Sequence, residues 1–251
     1  MKIAATILTA PRPTPTLTRT VESLVDAGFS GEHQPRVYID SQGVGSFHAH
    51  LAAFRDALTR EPEADAHFVV QDDVIFCRGL FDYLQATLWP GPVDDLALCS
   101  PYCPEAYRHD VNGWNHLQSD RGLYLSGGQA WVFPAAVVRR LVVDFDVEPS
   151  RVVPGLIDAR RRRAAGETVP RAALSPPDGE LRHEWHHYDY HVGRWAKRHK
   201  LKVWHHAPSL AQHIGIRNSS LGDNSDCSLR HAADFIGEEA DAMQFTRKAT
   251  P

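Results

Sequence analysis

His67-Phe68-Val69-Val70-Gln71-Asp72-Asp73-Val74-Ile75-Phe76 sets two adjacent carboxylates inside an otherwise apolar run. Burying such a pair costs several kcal/mol unless something compensates the charge. A run of this kind reads as a strand that ends at the acids, leaving them over a ligand cleft. A divalent cation held there would cancel their charge, and hard oxygen ligands suit Mg²⁺ or Mn²⁺. An exposed turn between two short strands is the bland alternative.

The surrounding sequence alternates strand and helix. Upstream, Ile3–Thr9 is strand-like. Leu17, Val21, Leu24 and Gly28 then share one helical face, with Gly28 as a C-cap. A second strand ends at Asp40. Phe47, Leu51, Phe54 and Leu58 recur at spacings of four, three and four, which predicts a helix with Ser46 as its N-cap. Downstream, Gly79–Trp89 predicts a third helix and Asp95–Tyr102 a fourth strand. Strict rotation of this kind means βαβ units and a mainly parallel sheet with helices on both faces. Ligands in such sheets sit at the carboxyl ends of the strands. Those ends are Thr9–Arg12, Asp40–Gly45 and Gln71–Asp73.

The second half is less regular. Residues 122–143 read as a strand, a Gly127-Gly128 turn, another strand and a helix starting near Pro134. Residues 144–182 hold prolines and the Arg160–Arg163 run, and read as a lid-like excursion. A helix is predicted over 188–200 and a late strand over 201–206. The segment after Gly215 is polar.

Bulk properties bound the function. The chain has 251 residues, 43% hydrophobic and 23% charged, and a net charge of −4. That balance is too mild to demand an acidic or basic partner. Its four cysteines, Cys77, Cys99, Cys103 and Cys227, make neither a C-x-x-C pair nor a disulfide framework. The apolar start stops at Pro11-Arg12-Pro13, which argues against a signal peptide. No segment nears the roughly 18 apolar residues of a membrane helix. A cytoplasmic, membrane-free protein is expected.

The order of these parts resembles the GT-A glycosyltransferases, enzymes with an acidic metal-binding motif that use nucleotide sugars. The residues that carry the likeness are Thr9-Ala10-Pro11-Arg12, the strand ending in Asp40, Gln71-Asp72-Asp73, Gly127–Pro134 and Gln212-His213-Ile214-Gly215. The resemblance implies a Rossmann-type three-layer α/β sandwich forming one GT-A-like domain over 1–251. Residues 1–100 would be its nucleotide-sugar half and 101–222 its acceptor and catalytic half, followed by a tail at 223–251. It implies that Thr9, Ala10, Arg12, Asp40, Gln71, Asp72, Gly127 and Gly128 line the site of a nucleoside-diphosphate sugar, UDP-sugar favoured. Arg217, Ser219 and Ser220 would assist the phosphates. Asp73 and His213 would bind Mn²⁺ or Mg²⁺, with the choice between Asp72 and Asp73 open and Asp73 favoured. Asp189 would be the base of an inverting enzyme or a contact to the acceptor. The acceptor would be a glycan, a protein or a hydroxymethylated base in phage DNA, the last met by Arg160–Arg163, Arg171 and Arg182.

Two other readings compete. His183-Glu184-Trp185-His186-His187 is H-E-x-x-H, a zinc peptidase signature with His205, His206 or His213 as third ligand. It explains neither the alternating first half nor the Asp pair, and Pro176, Pro177 and Gly179 leave little room for the helix it needs. A non-catalytic nucleotide-sugar or nucleic-acid binding module is the other. His205 and His206 read as core-edge residues, Asp94-Asp95 as a solvated loop, and Trp131 and Trp185 as packing residues before sugar platforms.

Overall fold

The computed structural model describes residues 1–11, 15–41, 46–117, 125, 127–147, 162, 167–169, 188–215, 231–232 and 234–246. Its elements are β1 (Ile3–Thr9), α1 (Leu17–Asp26), β2 (Arg36–Ile39), α2 (Ser46–Arg60), β3 (Ala66–Gln71), β4 (Val74–Phe76), α3 (Leu80–Thr87), β5 (Leu96–Ser100), β6 (Gly113–His116), β7 (Ala130–Pro134), α4 (Ala135–Val147), α5 (Tyr188–Arg198), β8 (Lys202–Ala207) and β9 (Ala211–His213).

Seven strands form one sheet in the order β2-β1-β3-β7-β5-β8-β6. β2, β1, β3, β5 and β8 run one way, while β7 and β6 are antiparallel to their neighbours. The sheet is therefore mostly parallel by direction, as the alternation predicts. One of its two antiparallel strands, however, is wedged in the middle. Leu24 of α1 and Leu80, Tyr83 and Leu84 of α3 pack on one face, against Ile3, Ile7 and Phe68 among others. Helices α2, α4 and α5 cover the other face through Phe54, Leu141 and Trp195, against Val69 and Phe133. This is a three-layer α/β sandwich. Cover on both faces is why β3 and β5 are apolar without alternation.

Local chemistry accounts for the element ends. Gly28 takes φ +104°, and the Gly28 and Phe29 amides donate back to Val25 and Leu24 (3.0 Å each), closing α1 as expected. A Cβ on Gly28 would also press on Phe81 at 3.0 Å. Ser46 is the first residue of α2 rather than its cap, and its carbonyl accepts from His50 Nδ1 at 2.6 Å. α3 ends at Thr87, short of the predicted Trp89. α4 runs to Val147, so the expected excursion at 144 begins as helix. The remainder of 144–182, apart from Arg162 and 167–169, lies outside the described residues, as does, apart from buried Leu125, the first of the two strands expected in 122–143.

β4 leaves the main sheet and pairs antiparallel with β9 in a two-stranded ribbon. On its other side it is held by α1: the amides of Val74 and Phe76 donate to Thr20 Oγ1 (3.2 Å) and Ser23 Oγ (2.7 Å). Those two hydroxyls are buried for this purpose. The C-terminal stretch expected as a polar tail packs back on the fold over 231–232 and 234–246. Asp241 bridges to Arg78, the Ala242 amide donates to Arg78 O at 2.9 Å, and Ala242 is fully buried. No helix among the described residues is long and apolar enough to cross a membrane. Cys77, Cys99 and Cys103 are buried free thiols, and burial raises all three pKa values, Cys77 and Cys103 to about 12.

Candidate functional site

The end of β3 is where the two faces of the sheet part. Asp72 and Asp73 form the turn between β3 and β4, yet they are only 1% and 6% exposed. The acids are thus in a turn, but not a solvated one. Asp72 takes the side of β1: its amide donates to Leu8 O at 3.1 Å, and its Oδ2 accepts from Thr9 Oγ1. Asp40 ends β2 beside them, 8% exposed, its amide donating to Thr9 O at 2.8 Å. Thr9, Asp40 and Asp72 therefore share one edge, with half-buried Ala10 following Thr9. This is the carboxyl end of three parallel neighbours.

Asp73 turns to the ribbon instead. Its Oδ2 lies 3.2 Å from His213 Nε2, and both side chains are less than a tenth exposed. The Ile214 amide donates to Asp73 O at 2.8 Å. Gly215 then passes over the carboxylate so closely that a Cβ there would overlap Asp73 Oδ2 and reach Asp73 Cγ at 3.0 Å. His213, Ile214 and Gly215 thus fix the side chain, backbone and rotamer of Asp73. The sequence singles out His213 but gives Gly215 no role of its own. The available signal is the glycine two residues after the histidine, where the backbone must come close.

Gln71 faces the other way. Its amide donates to Gln129 O at 2.8 Å, and its Nε2 donates to Gly128 O at 3.3 Å. A Cβ on Gly128 would lie 3.2 Å from Tyr188 and 3.4 Å from Asp189 Cβ, so glycine lets the turn sit on the start of α5. Gly127, at φ +91°, would drive a side chain into Tyr102 at 2.9 Å. Asp189 is half-buried in the first turn of α5, where its Oδ1 accepts from the Tyr190 amide at 3.0 Å. Gln71, Gly128 and Asp189 are contiguous, and Gln71 is joined through the chain to Asp72 and Asp73.

An aspartate and an imidazole are a suitable donor pair for a divalent cation. Among the described residues no three His, Cys, Asp or Glu side chains gather closely enough to hold a metal ion alone. Asp73 and His213 are the described pair that would supply protein ligands to such a cation. Asp72 is engaged by Thr9 and Asp73 by His213.

His205 and His206 belong to the core edge and are both fully buried. His206 Nδ1–H donates to Pro208 O and its Nε2 accepts from Tyr83 Oη, each at 2.7 Å. Burial lowers the pKa of both histidines to about 4. Trp131 is fully buried packing, and Asp95 is solvated, paired with Lys202 at 3.2 Å. Arg162 bonds Glu167 Oε2 at 2.8 Å. Arg12, Arg217, Ser219, Ser220, Arg160, Arg161, Arg163, Arg171, Arg182 and the His183–His187 motif lie outside the described residues.

No protein-family model matches the chain, and no curated protein matches it. Among solved structures it is similar to mannose-1-phosphate geranyltransferase from Thermus thermophilus, at 16% identity and TM-score 0.44 over 89% of this chain and 77% of that one. It is similar to a glycosyltransferase involved in glycosylation of the major capsid of PBCV-1, at 13% identity and TM-score 0.38 over 82% and 93%. A third is a Drosophila β-1,4-galactosyltransferase 7 mutant in complex with manganese, UDP-Gal and xylobiose, at 10% identity and TM-score 0.40 over 98% and 80%.

Proposed function

We propose that this chain is a metal-dependent glycosyltransferase that moves a sugar from a nucleoside-diphosphate sugar, UDP-sugar favoured, to an acceptor hydroxyl. The observation that carries the reading is the buried Asp73–His213 contact at the carboxyl edge of a mostly parallel sheet. Excluding two ionisable groups from water is costly and needs a return. Binding of a cation and a diphosphate at that edge supplies one.

In this reading Asp73 and His213 hold Mn²⁺ or Mg²⁺, and Thr9, Ala10, Arg12, Asp40, Gln71 and Asp72 line the nucleotide side. The cation, when bound, offsets the negative charge of the departing diphosphate. Arg217, Ser219 and Ser220 are assigned to the phosphates, and Gly127 and Gly128 to the sugar. Asp189, across Gly128 from Gln71, is assigned the acceptor proton if the reaction inverts the anomeric centre. The acceptor is a glycan, a protein or a hydroxymethylated DNA base. The Arg160–Arg163 run is what speaks for the DNA case, with Arg162 already engaged by Glu167.

A thermal-shift screen of nucleotide sugars with and without Mn²⁺ tests the donor and the metal together. A rise in unfolding temperature that requires both is expected. Slow hydrolysis of the same nucleotide sugar then separates an enzyme from a binding module. Stoichiometric zinc, with no nucleotide-dependent shift, would instead favour the peptidase reading.

A further inference from the structure

β4 and β9 are three residues each and lie far apart in the chain, so their pairing brings little stability of its own. Yet Asp73 meets His213 only while Val74 stays in register with His213. The ribbon therefore needs a hold from outside. On the β4 side α1 supplies one, through the hydroxyls of Thr20 and Ser23. A second hold comes from the C-terminal segment at 231–232 and 234–246.

This segment reaches both strands at the end away from the acids. The amide of Arg78, two residues past β4, donates to Glu238 O at 3.1 Å. The Ile236 amide donates at 3.3 Å to the carbonyl of Ser209, two residues ahead of β9. Between these points the Cys77 amide donates to Leu210 O at 3.1 Å, so the segment lies across the last rung of the ribbon. Its anchor is apolar. Ala242 is fully buried, and Ile236, Met243 and Phe245 pack on the core that holds Phe76 and Ala211. Gly79 makes room for it, since a Cβ there would overlap Asp241 Oδ1. Three acids add ion pairs to arginines from separate places in the chain: Glu238 with Arg19, Glu239 with Arg78 at 2.8 Å and Asp234 with Arg108 at 3.3 Å. Pairs this exposed hold weakly one at a time, so the buried anchor carries most of the grip.

Nearer the acids one side chain passes the hold on. Half-buried Gln212 accepts from the Ala232 amide through Oε1 at 3.3 Å, and its Nε2 lies 3.1 Å from His231 Nδ1. The same Nε2 donates to His213 O at 2.9 Å. Strand alternation sets Gln212 on the face of β9 opposite His213. The backbone that carries the imidazole is thus fixed from behind.

We infer that the C-terminal segment is a clasp that keeps the β4–β9 ribbon shut, and that Gln212 is the positioning residue that carries its hold to His213. With the clasp undocked, the ribbon parts while the seven-stranded sheet stays intact, and Asp73 loses His213. What that loss does to a bound cation rests on the transferase reading above.

Amide hydrogen exchange of the full chain tests this without any ligand. Ala242→Glu sets a carboxylate where the clasp is buried and favours its release. Gln212→Ala leaves the clasp docked and removes the link to His213. The Cys77 and Ile214 amides close the two ends of the ribbon. In Ala242→Glu both should exchange about tenfold faster or more, with the amides of β1 and β3 unchanged. In Gln212→Ala the Ile214 amide alone should quicken. An equal rise across ribbon and main sheet, or no rise at the ribbon, overturns the clasp. An unchanged Ile214 amide in Gln212→Ala strikes out the role of Gln212. Should Ala242→Glu fail to fold, the surface double variant Glu238→Lys, Glu239→Lys sets like charges against Arg19 and Arg78 and is read in the same way. Mn²⁺ titration followed by electron paramagnetic resonance then reports on the site, and affinity should fall in step with the quickening at Ile214. Wild-type affinity in a variant whose ribbon has opened overturns the positioning role. If wild type binds no Mn²⁺, the transferase reading falls, and the exchange rates still judge the clasp.

Discussion

Gln71 and Asp72 are chain neighbours that open onto opposite faces of one sheet, and their surroundings differ in kind. On the Asp72 side Asp72 accepts from Thr9 and, at the adjoining turn, Asp73 Oδ2 lies against His213. On the Gln71 side His50, Trp131 and Tyr188 present polar atoms without partners among the described residues. The first is built from carboxylates against a hydroxyl and an imidazole, the second from rings that pack on one another. A paired group and an unpaired one respond oppositely to deletion, so the contrast can be broken by mutation.

The largest effect should come from Asp73→Asn, which keeps the shape and removes the charge beside His213. Mn²⁺-dependent hydrolysis of the donor should fall by roughly 100-fold or more, the scale of losing one electrostatic contact to a developing anion. Full activity in that variant would remove Asp73 from the chemistry.

Acid should strike the other face next. His50 titrates at about 4 in the fold against 6.5 when unfolded, because burial opposes its charge. Its folded pKa is depressed, so the stability it contributes is complete above about pH 6.5 and is lost as pH falls towards 4. By pH 5 this one residue should cost about 2 kcal/mol of unfolding free energy. His50→Gln should shrink the difference between denaturant unfolding at pH 7.5 and pH 5 by that amount. An unchanged difference would mean His50 is solvated.

Thr9→Val deletes the hydroxyl that Asp72 accepts from and leaves a buried carboxylate short of a donor. A loss of roughly 1.5–3 kcal/mol is expected in urea unfolding. Gly215→Ala puts a methyl where Asp73 Oδ2 lies. Mn²⁺ affinity, read by titration, should drop about tenfold, with secondary structure unchanged by circular dichroism. Trp131→Phe should change stability least, by under about 0.5 kcal/mol and with either sign, because its N–H has no bond to lose. A cost as large as that of Thr9→Val would show that the indole N–H is paired after all, and the contrast between the faces would collapse.

Much of the fold is legible in the sequence because it is written locally. The spacing of Phe47, Leu51, Phe54 and Leu58 encodes α2, and the unbroken apolar run of β3 encodes a strand covered on both sides. His50 is legible in principle, since it falls on the stripe of Phe47 and Phe54. It escapes notice because a histidine in a helix invites a surface reading. What is not legible is partnership between distant strands. Nothing in Ala130–Pro134 marks it as antiparallel and central, and β6 carries no alternation strong enough to stand out. The juxtaposition of Asp73 with His213 is expected only through a family resemblance, because the ribbon that creates it joins residues far apart. The buried state of Asp72 and Asp73 is likewise beyond local reading. A two-residue turn is normally wet, and it is the ribbon folding over it that keeps water out.

That ribbon sets an order of events for the protein's birth. Val74 leaves the ribosome early, whereas its pairing partner His213 follows more than half a chain later. Until then a nascent polypeptide exposes adjacent aspartates with neither imidazole nor Gly215 to hold them. The water-free setting of Asp73 is therefore completed late, when β9 pairs with β4.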